Sequence, residues 1–286
     1  ELKWIFSEAG SMKSAAPAVN ANGTVVYICD ALGKAFAIDA ASGQKKWQFS
    51  AGDAGRGLLV NGSELLIGTQ TDAFFVNIET GEQIAKVTLG CEMSDITGFA
   101  VNSDKTLAYF GGRNGYIGAV NIKTHEAIKS LVVEKDNPNL LYEPVVAPNG
   151  SVFAGSKNGS VYNVKGDLSA VNWEYVHTGS SLANAFNYSH PCVDSENRFY
   201  ITSGQTSNTT YIFDASGNVV DSWTYESGDN NQKQMGGNNY LDGVIYSAFI
   251  GGSSKNGVFV GKYVGGERAS SWSTHGGDIC GSCCVK

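Results

Sequence analysis

The sequence predicts an all-β fold, a β-propeller of four-stranded blades, and three observations carry that expectation. One hairpin pattern recurs six times along the 286 residues. Tryptophans stand at Trp4, Trp47, Trp173, Trp223 and Trp272. The first three are spaced at multiples of about 42 residues, the last two slightly wider, and such a period belongs to ring-forming repeats. Glycine is abundant at 36 against 5 prolines, and aromatic residues make up 11% of the chain, which suits many short strands joined by tight turns.

The elements of each repeat follow in order. The first hairpin is seen in "VNANGTVVYI", "LVNGSELLIG", "VNSDKTLAYF", "VAPNGSVFAG", "VDSENRFYIT" and "NYLDGVIYSA". Each has a short apolar strand, an Asn/Asp/Gly turn that tolerates positive φ, and a strand rich in Tyr, Phe, Leu or Ile. A third strand comes next in "GKAFAID", "TDAFFVNI", "NGYIGAVNI", "NGSVYNV", "NTTYIFD" and "NGVFVGK". A fourth follows in "SGQKKWQFS", "TGEQIAKVTL", "THEAIKSLVV", "GDLSAVNWEYV", "SGNVVDSWTY" and "GERASSWST". One such repeat cannot bury both faces of its sheet, but stacked blades can, so residues 1–286 are expected to form a single domain. A β-sandwich is the alternative, and sandwiches do not repeat a turn and tryptophan pattern six times.

The ends bear on the blade count. "LKWIFS" at 2–7 matches the fourth-strand "KKWQFS", so the chain is expected to open on an outer strand with the rest of that blade absent before it. "SCCV" at 282–285 resembles "SHPCV" at 189–193, an inner strand. Six full repeats plus terminal strands result, with seven positions around the ring favoured over six blades and a spare strand.

Charge and composition exclude several function classes. The net charge is −7, and the longest basic run is Lys45-Lys46, so no nucleic-acid partner is expected, because phosphate binding needs a clustered basic surface. No apolar run approaches the ~18–20 residues of a membrane span. The chain starts without Met and shows no signal peptide, as a processed mature segment or a cloned fragment would. The six cysteines are too few for a disulfide scaffold in a chain this long.

"AIDAASGQKKW" (37–47) and "FDASGNVVDSW" (213–223) follow the pattern Ala-x-Asp-x-x-Thr/Ser-Gly-x-x-x-Trp, the second with two extra residues before Trp223. "VNIETGEQIAKV" and "VNIKTHEAIKSL" keep the turn and lose the tryptophan. This pattern resembles the pyrroloquinoline-quinone (PQQ) repeat family over nearly the whole chain, in its non-catalytic branch. The motif has a structural role: the turn is capped by Asp or Asn, and the outer-strand Trp docks between blades. The family includes quinone dehydrogenases as well as scaffolds such as periplasmic propellers that help assemble outer-membrane proteins, so the fold does not by itself assign an activity.

The poorly repeated segments hold the candidates for chemistry. The resemblance draws attention to Cys283-Cys284, because quinone-dependent alcohol dehydrogenases carry an adjacent-cysteine disulfide against a calcium-bound PQQ. Their Glu, Asn and Asp calcium ligands find no counterpart here. "HGGDICGSCC" offers His275, Asp278, Cys280, Cys283 and Cys284 as metal candidates, but one Cys-x-x-Cys without a second pair is a weak signal. A disulfide or free thiols is the plainer reading, and no metal and no cofactor are expected. His190 and Cys192 share a strand face without a third group to orient them for nucleophilic catalysis. The sequons at Asn22, Asn61, Asn149, Asn158, Asn187 and Asn208 mostly coincide with turns.

The longest loops, "EKDNPNLLYEP", "HTGSSLANAFNYSHP" and "ESGDNNQKQMGGN", belong to one face of the expected ring. Long loops on a rigid scaffold are where binding concentrates. They bring Tyr142, Glu143, Asn187, Tyr188, His190, Asn231, Gln232 and Gln234 towards one rim, with Arg56, Arg113 and Lys157 from neighbouring blades. These residue types suit stacking and hydrogen bonding to a protein or a carbohydrate. The expected function is a monomeric, non-catalytic binding or scaffold module in an extracytoplasmic setting: periplasmic, cell-surface or secreted. The alternative is a PQQ-dependent dehydrogenase-like enzyme with calcium.

Overall fold

The computed structural model describes residues 2–12, 16–95, 97–135, 138–176, 191–203, 209–224, 233–234, 238–241, 243–250, 257–264 and 284–285. Among them are six blade sheets of antiparallel strands. Blade one holds β1 (Ala18–Val19), β2 (Val25–Cys29), β3 (Lys34–Asp39) and β4 (Lys45–Ser50). Blade two holds β5 (Gly57–Asn61), β6 (Glu64–Gly68), β7 (Asp72–Asn77) and β8 (Gln83–Thr88). Blade three holds β9 (Ala100–Val101), β10 (Leu107–Gly111), β11 (Tyr116–Asn121) and β12 (Glu126–Val132). Blade four holds β13 (Val145–Val146), β14 (Val152–Gly155), β15 (Val161–Val164) and β16 (Val171–Tyr175). Blade five holds β17 (Cys192–Val193), β18 (Phe199–Ser203), β19 (Thr209–Phe213) and β20 (Val219–Thr224). In blade six, β21 (Lys233–Gln234) and β22 (Asn239–Leu241) share one edge of β23 (Val244–Ile250), and β24 (Gly257–Tyr263) takes the other. The "GERASSWST" strand lies outside the described residues.

Burial runs along the blade as the sequence pattern requires. The middle strands are apolar on both faces because each face meets a neighbouring blade: β7, for example, buries Ala73, Phe74, Phe75 and Val76. The outer strands alternate, and in β4 only Trp47 is fully buried. The core is therefore a series of inter-blade layers. Tyr27, Trp47, Leu58 and Phe74 join blades one and two. Leu66, Phe75, Tyr109, Phe110 and Tyr162 run through blades two, three and four. Phe153 stacks on Phe199 between blades four and five, ring centroids 4.8 Å apart.

The outer-strand tryptophans show how a blade holds its neighbour. The indole N–H of Trp47 donates to the Ile78 carbonyl at 2.9 Å, and its ring lies on Gly81. Trp173 does the same with Ala215 at 2.9 Å and Gly217. Trp4 does it with Ala40 at 3.0 Å and Gly43. All three glycines have positive φ, and a Cβ on any of them would fall 2.6–2.7 Å from the indole, closer than atoms can pack. Glycine thus answers both demands at once. Where the preceding outer strand has no tryptophan, the left-handed position is filled by another residue. His125 (φ 56°) follows blade two, which has Ala85 opposite Phe75, and Leu168 (φ 55°) follows blade three, which has Ile128 opposite Ala119.

The turns before Gly43, Gly81 and His125 are capped as expected. The Asp39 carboxylate accepts from the amides of Ala41 and Ser42, and Asn77 and Asn121 accept equivalent pairs. The third and fourth strands carry a register shift in each of blades one to five.

The terminal segments behave differently from one another. Residues 2–7 lie against blade one as a fourth strand does against the next blade, so they take up an outer-strand position before it. Strand β25 (Cys284–Val285) pairs in parallel with β5, Cys284 opposite Val60. It thus extends the inner edge of blade two, the placement of a spare terminal strand.

Candidate functional site

The connections around blades two and three form a continuous polar network. Arg56 enters β5 with its amide bonded to the Gly68 carbonyl at 2.8 Å, and Arg113 sits in the β10–β11 turn with its amide on Glu92 at 2.8 Å. The β8–β9 connection is tied down on both sides, Met93 to the Gln70 carbonyl and Ser94 to that of Gly111. It places Asp95 between the two arginines. Arg113 Nη2 donates to Asp95 Oδ1 and Oδ2 at 2.6 and 2.7 Å, and Arg56 Nη1 meets the same carboxylate. Arg56 Nη2 also donates to Gln70 Oε1 at 3.4 Å, and Gln70 Nε2 donates to Glu92 Oε2 at 2.8 Å. Glu92 Oε2 lies 3.9 Å from Arg113 Nε, which closes the ring of five side chains.

Two features of this ring suit recognition. Its charges balance, so it stands on the surface without a large field, yet Asp95 and Glu92 are 40% and 48% exposed. The guanidinium groups are held in place by Asp95, which accepts from Arg113 twice and meets Arg56, and charge-assisted contacts of this kind are the strong ones.

A second cluster lies alongside. Glu134 is 5% exposed and accepts from the Asn139 amide at 2.8 Å, from Ser156 Oγ at 3.0 Å, and from Asn158. Burial pushes its carboxyl above the ordinary range, against the pull of those donors. Glu134 thereby staples the β12–β13 connection to the β14–β15 turn, where the Lys157 amide also bonds to Leu140 at 2.9 Å.

The residues expected at the rim are distributed unevenly. Arg56 and Arg113 are brought together through Asp95. Tyr142 is 2% exposed and packs with Val145, Phe153 and Phe199, and Glu143 is 3% exposed with its carboxylate against Gly98. Both lie beneath the rim rather than on it, because the β12–β13 connection folds down into the blade-four layer. Asn187, Tyr188, His190, Asn231 and Gln232 lie outside the described residues, and Gln234 is described only as the backbone of β21. Asp95, Gln70, Glu92 and Glu134 were not anticipated. The length of "GCEMSDITGF" (90–99) between β8 and β9 is the signal that marks the first of these.

Burial disfavours the thiolate at three cysteines: it pushes the thiol of Cys29 up to about 12 and that of Cys91 up to about 11, and it raises that of Cys192 well above its ordinary value. A reactive thiol needs the opposite shift. Among the described residues no three His, Cys, Asp or Glu side chains are grouped to hold a metal ion. His275, Cys280 and Cys283 lie outside the described residues, and Cys284 is described only as backbone in β25.

The comparisons with known proteins agree with this architecture. A family model described as "Outer membrane protein assembly factor BamB" matches residues 1–175. No curated protein matches the chain. Among solved structures, BamB from Moraxella catarrhalis is similar at 13% identity with a TM-score of 0.53, over 88% of this chain and 84% of that one. Hydrazine synthase from Kuenenia stuttgartiensis is similar at 14% identity with a TM-score of 0.62, over 86% of this chain and 78% of that one. At these identities the two structures carry the propeller fold alone.

Proposed function

The chain belongs to the family described as outer membrane protein assembly factor BamB, and on that premise we propose that it is a non-catalytic propeller scaffold of the cell envelope that binds a protein partner through its loop face. The five-residue ring of Arg56, Gln70, Glu92, Asp95 and Arg113 carries this reading. It joins two blades, it lies within the matched residues, and it holds arginine donors in place on a rigid frame. Arginine at a partly exposed, preorganised position is a frequent anchor of protein interfaces. The ring needs no chemistry to act. A partner's polar groups would exchange with Asp95 or Glu92 at little reorganisation cost, since the ring is seated on paired strands. The family reading also favours an extracytoplasmic setting and a protein over a carbohydrate.

The test is capture of envelope proteins on the immobilised full chain, with and without Arg113→Ala and Arg56→Ala. The expected outcome is a partner held by the wild type and lost by about tenfold or more in the double variant, with unchanged circular dichroism. Equal capture by both would overturn the loop-face assignment. The rival dehydrogenase reading is tested by adding PQQ and calcium. Bound-quinone absorbance with dye-linked alcohol oxidation would overturn the scaffold reading.

A further inference from the structure

The chain has six Asn-Gly pairs, and five lie within the described residues: Asn22-Gly23, Asn61-Gly62, Asn114-Gly115, Asn149-Gly150 and Asn158-Gly159. Asparagine before glycine carries a reaction of its own. Glycine has no Cβ to shield its main-chain nitrogen, and that nitrogen can close a ring on the carboxamide carbon of the residue before it. As dipeptides the five pairs are equivalent, so an order of reaction among them is set by the fold.

Four of the pairs are held. The Asn158 amide nitrogen donates to Glu134, and the Asn158 carbonyl accepts from the Ser160 amide at 3.0 Å. Asn149 Oδ1 accepts from the amide and the hydroxyl of Ser151 at 3.0 and 2.8 Å, and Ser151 is buried. Gly115 is buried, and a Cβ there would fall 2.3 Å from the Glu134 carbonyl oxygen, so no ring fits. Asn61 Nδ2 donates to the Ile122 carbonyl of blade three at 3.5 Å.

The β1–β2 turn is built otherwise. Asn22, Gly23 and Thr24 are exposed, Gly23 has φ 73°, and nothing lies within 4 Å of where its Cβ would stand. Asn20 caps this turn, its Oδ1 taking the amides of Thr24 and Val25 at 2.8 and 2.9 Å, which leaves capping to a residue other than Asn22. Asn22 instead receives a hydroxyl. Thr24 Oγ1 donates to Asn22 Oδ1 at 2.9 Å, and Asn20 Nδ2 donates to Thr24 Oγ1 at 3.0 Å. A polarised donor thus meets the oxygen on which charge develops when the carboxamide carbon is attacked. The Gly23 amide rests on the Asn20 carbonyl at 2.9 Å, but Gly115, Gly150 and Gly159 are engaged in the same way, so that bond does not set the pairs apart.

We propose that Asn22-Gly23 is a site of self-modification, with water as the co-reactant and Thr24 as the group that activates it. The Gly23 main-chain nitrogen attacks Asn22 Cγ and forms the new C–N bond of a cyclic imide. The Cγ–Nδ2 bond breaks, and ammonia leaves with the proton given up by the glycine nitrogen. Water then opens the imide at either carbonyl, which yields aspartate or isoaspartate. The product carries an added negative charge and, as isoaspartate, an added main-chain carbon within the turn. No partner protein takes part, so the reaction stands apart from the scaffold reading.

The test is incubation of the full chain in neutral buffer made with heavy-oxygen water, followed over time by peptide mapping. The peptide holding Asn22 is expected to lose its amide and gain heavy oxygen before the peptides holding the other four pairs. Equal rates, or earlier conversion at any other pair, overturn the proposal. In urea the five pairs are expected to convert alike, and an order that survives unfolding would show that the fold does not set it. Thr24→Val removes the donor and is expected to slow conversion at Asn22 about fivefold, the worth of one modest hydrogen bond. Thr24→Ser keeps the hydroxyl and is expected to keep the rate. Both substitutions sit at an exposed position, and circular dichroism verifies the fold. An unchanged rate in Thr24→Val, or an equal loss in Thr24→Ser, overturns the role of Thr24.

Discussion

At the scale of single residues, the glycines under the tryptophans make the sharpest prediction. Gly81 has φ 74°, and an added Cβ would lie 2.7 Å from Trp47 Cδ2, so Gly81→Ala meets both backbone strain and a clash. We expect a loss of roughly 1–3 kcal/mol, within the range for strained or overpacked sites, read as a fall in the urea midpoint. His125→Gly sits at the matching position without a tryptophan above it, so it loses the His125 contact with Phe75 and the 3.0 Å bond to Glu64 but relieves left-handed strain. It should cost less than Gly81→Ala. Trp47 itself was legible as a docking residue, whereas the dependence of His125 and Leu168 on a missing tryptophan was not, since it joins positions roughly one repeat apart in the chain.

The carboxylates give pH predictions of opposite sign. Burial raises the Glu134 carboxyl in the folded chain, so its contribution to stability is present at low pH and is lost as pH rises through the folded value. Asp30 is shifted the other way. Burial would raise it, but the amides of Lys34, Gly10 and Leu32 outweigh that and hold it low. Its contribution is present above the unfolded value and is lost as pH falls through the folded one. Denaturant midpoints against pH for Glu134→Gln should lack the decline of the wild type on the alkaline side of the carboxylate range. Those for Asp30→Asn should lack the wild-type loss on the acid side.

At the scale of elements, the β8–β9 connection and the β10–β11 turn act together through Asp95. Arg56 and Arg113 share that acceptor, so their truncations should not add. A double-mutant cycle on Arg56→Ala and Arg113→Ala should show a coupling of about 0.5 kcal/mol or more in stability, as side chains of one network do. Each single change should stay small, about 0.2–1 kcal/mol, because Asp95 is 40% exposed and solvent screens the pair. Additive effects would mean that the ring is not one unit. The strands of this element pair were plain from the apolar runs "LLIG" and "LAYF". The pairing of Arg56 with Arg113 was not, because each lies in a short connection whose partner comes from another blade.

At the scale of the whole molecule, stability should follow the inter-blade layers rather than the blades. Phe110 is fully buried in the layer that runs through blades two, three and four, and Phe110→Ala should cost about 3–5 kcal/mol. Val220→Ala, on an outer strand and 53% exposed, should change stability by less than about 0.5 kcal/mol. Thermal unfolding of the two variants checks both expectations, and a similar loss in each would contradict a layered core. The sequence by itself determined the blades: a hairpin and a capped turn are local, set by neighbours a few residues apart, and their sixfold repetition admits one kind of closed stack. It also determined that Trp4 belongs with Trp47, since the two hexapeptides share their alternation. Only the tertiary structure decided that Tyr142 and Glu143 sink beneath the rim, that Asp95 bridges two arginines, and that β25 joins β5. Each of these depends on contacts between segments far apart in the chain, which local periodicity does not encode.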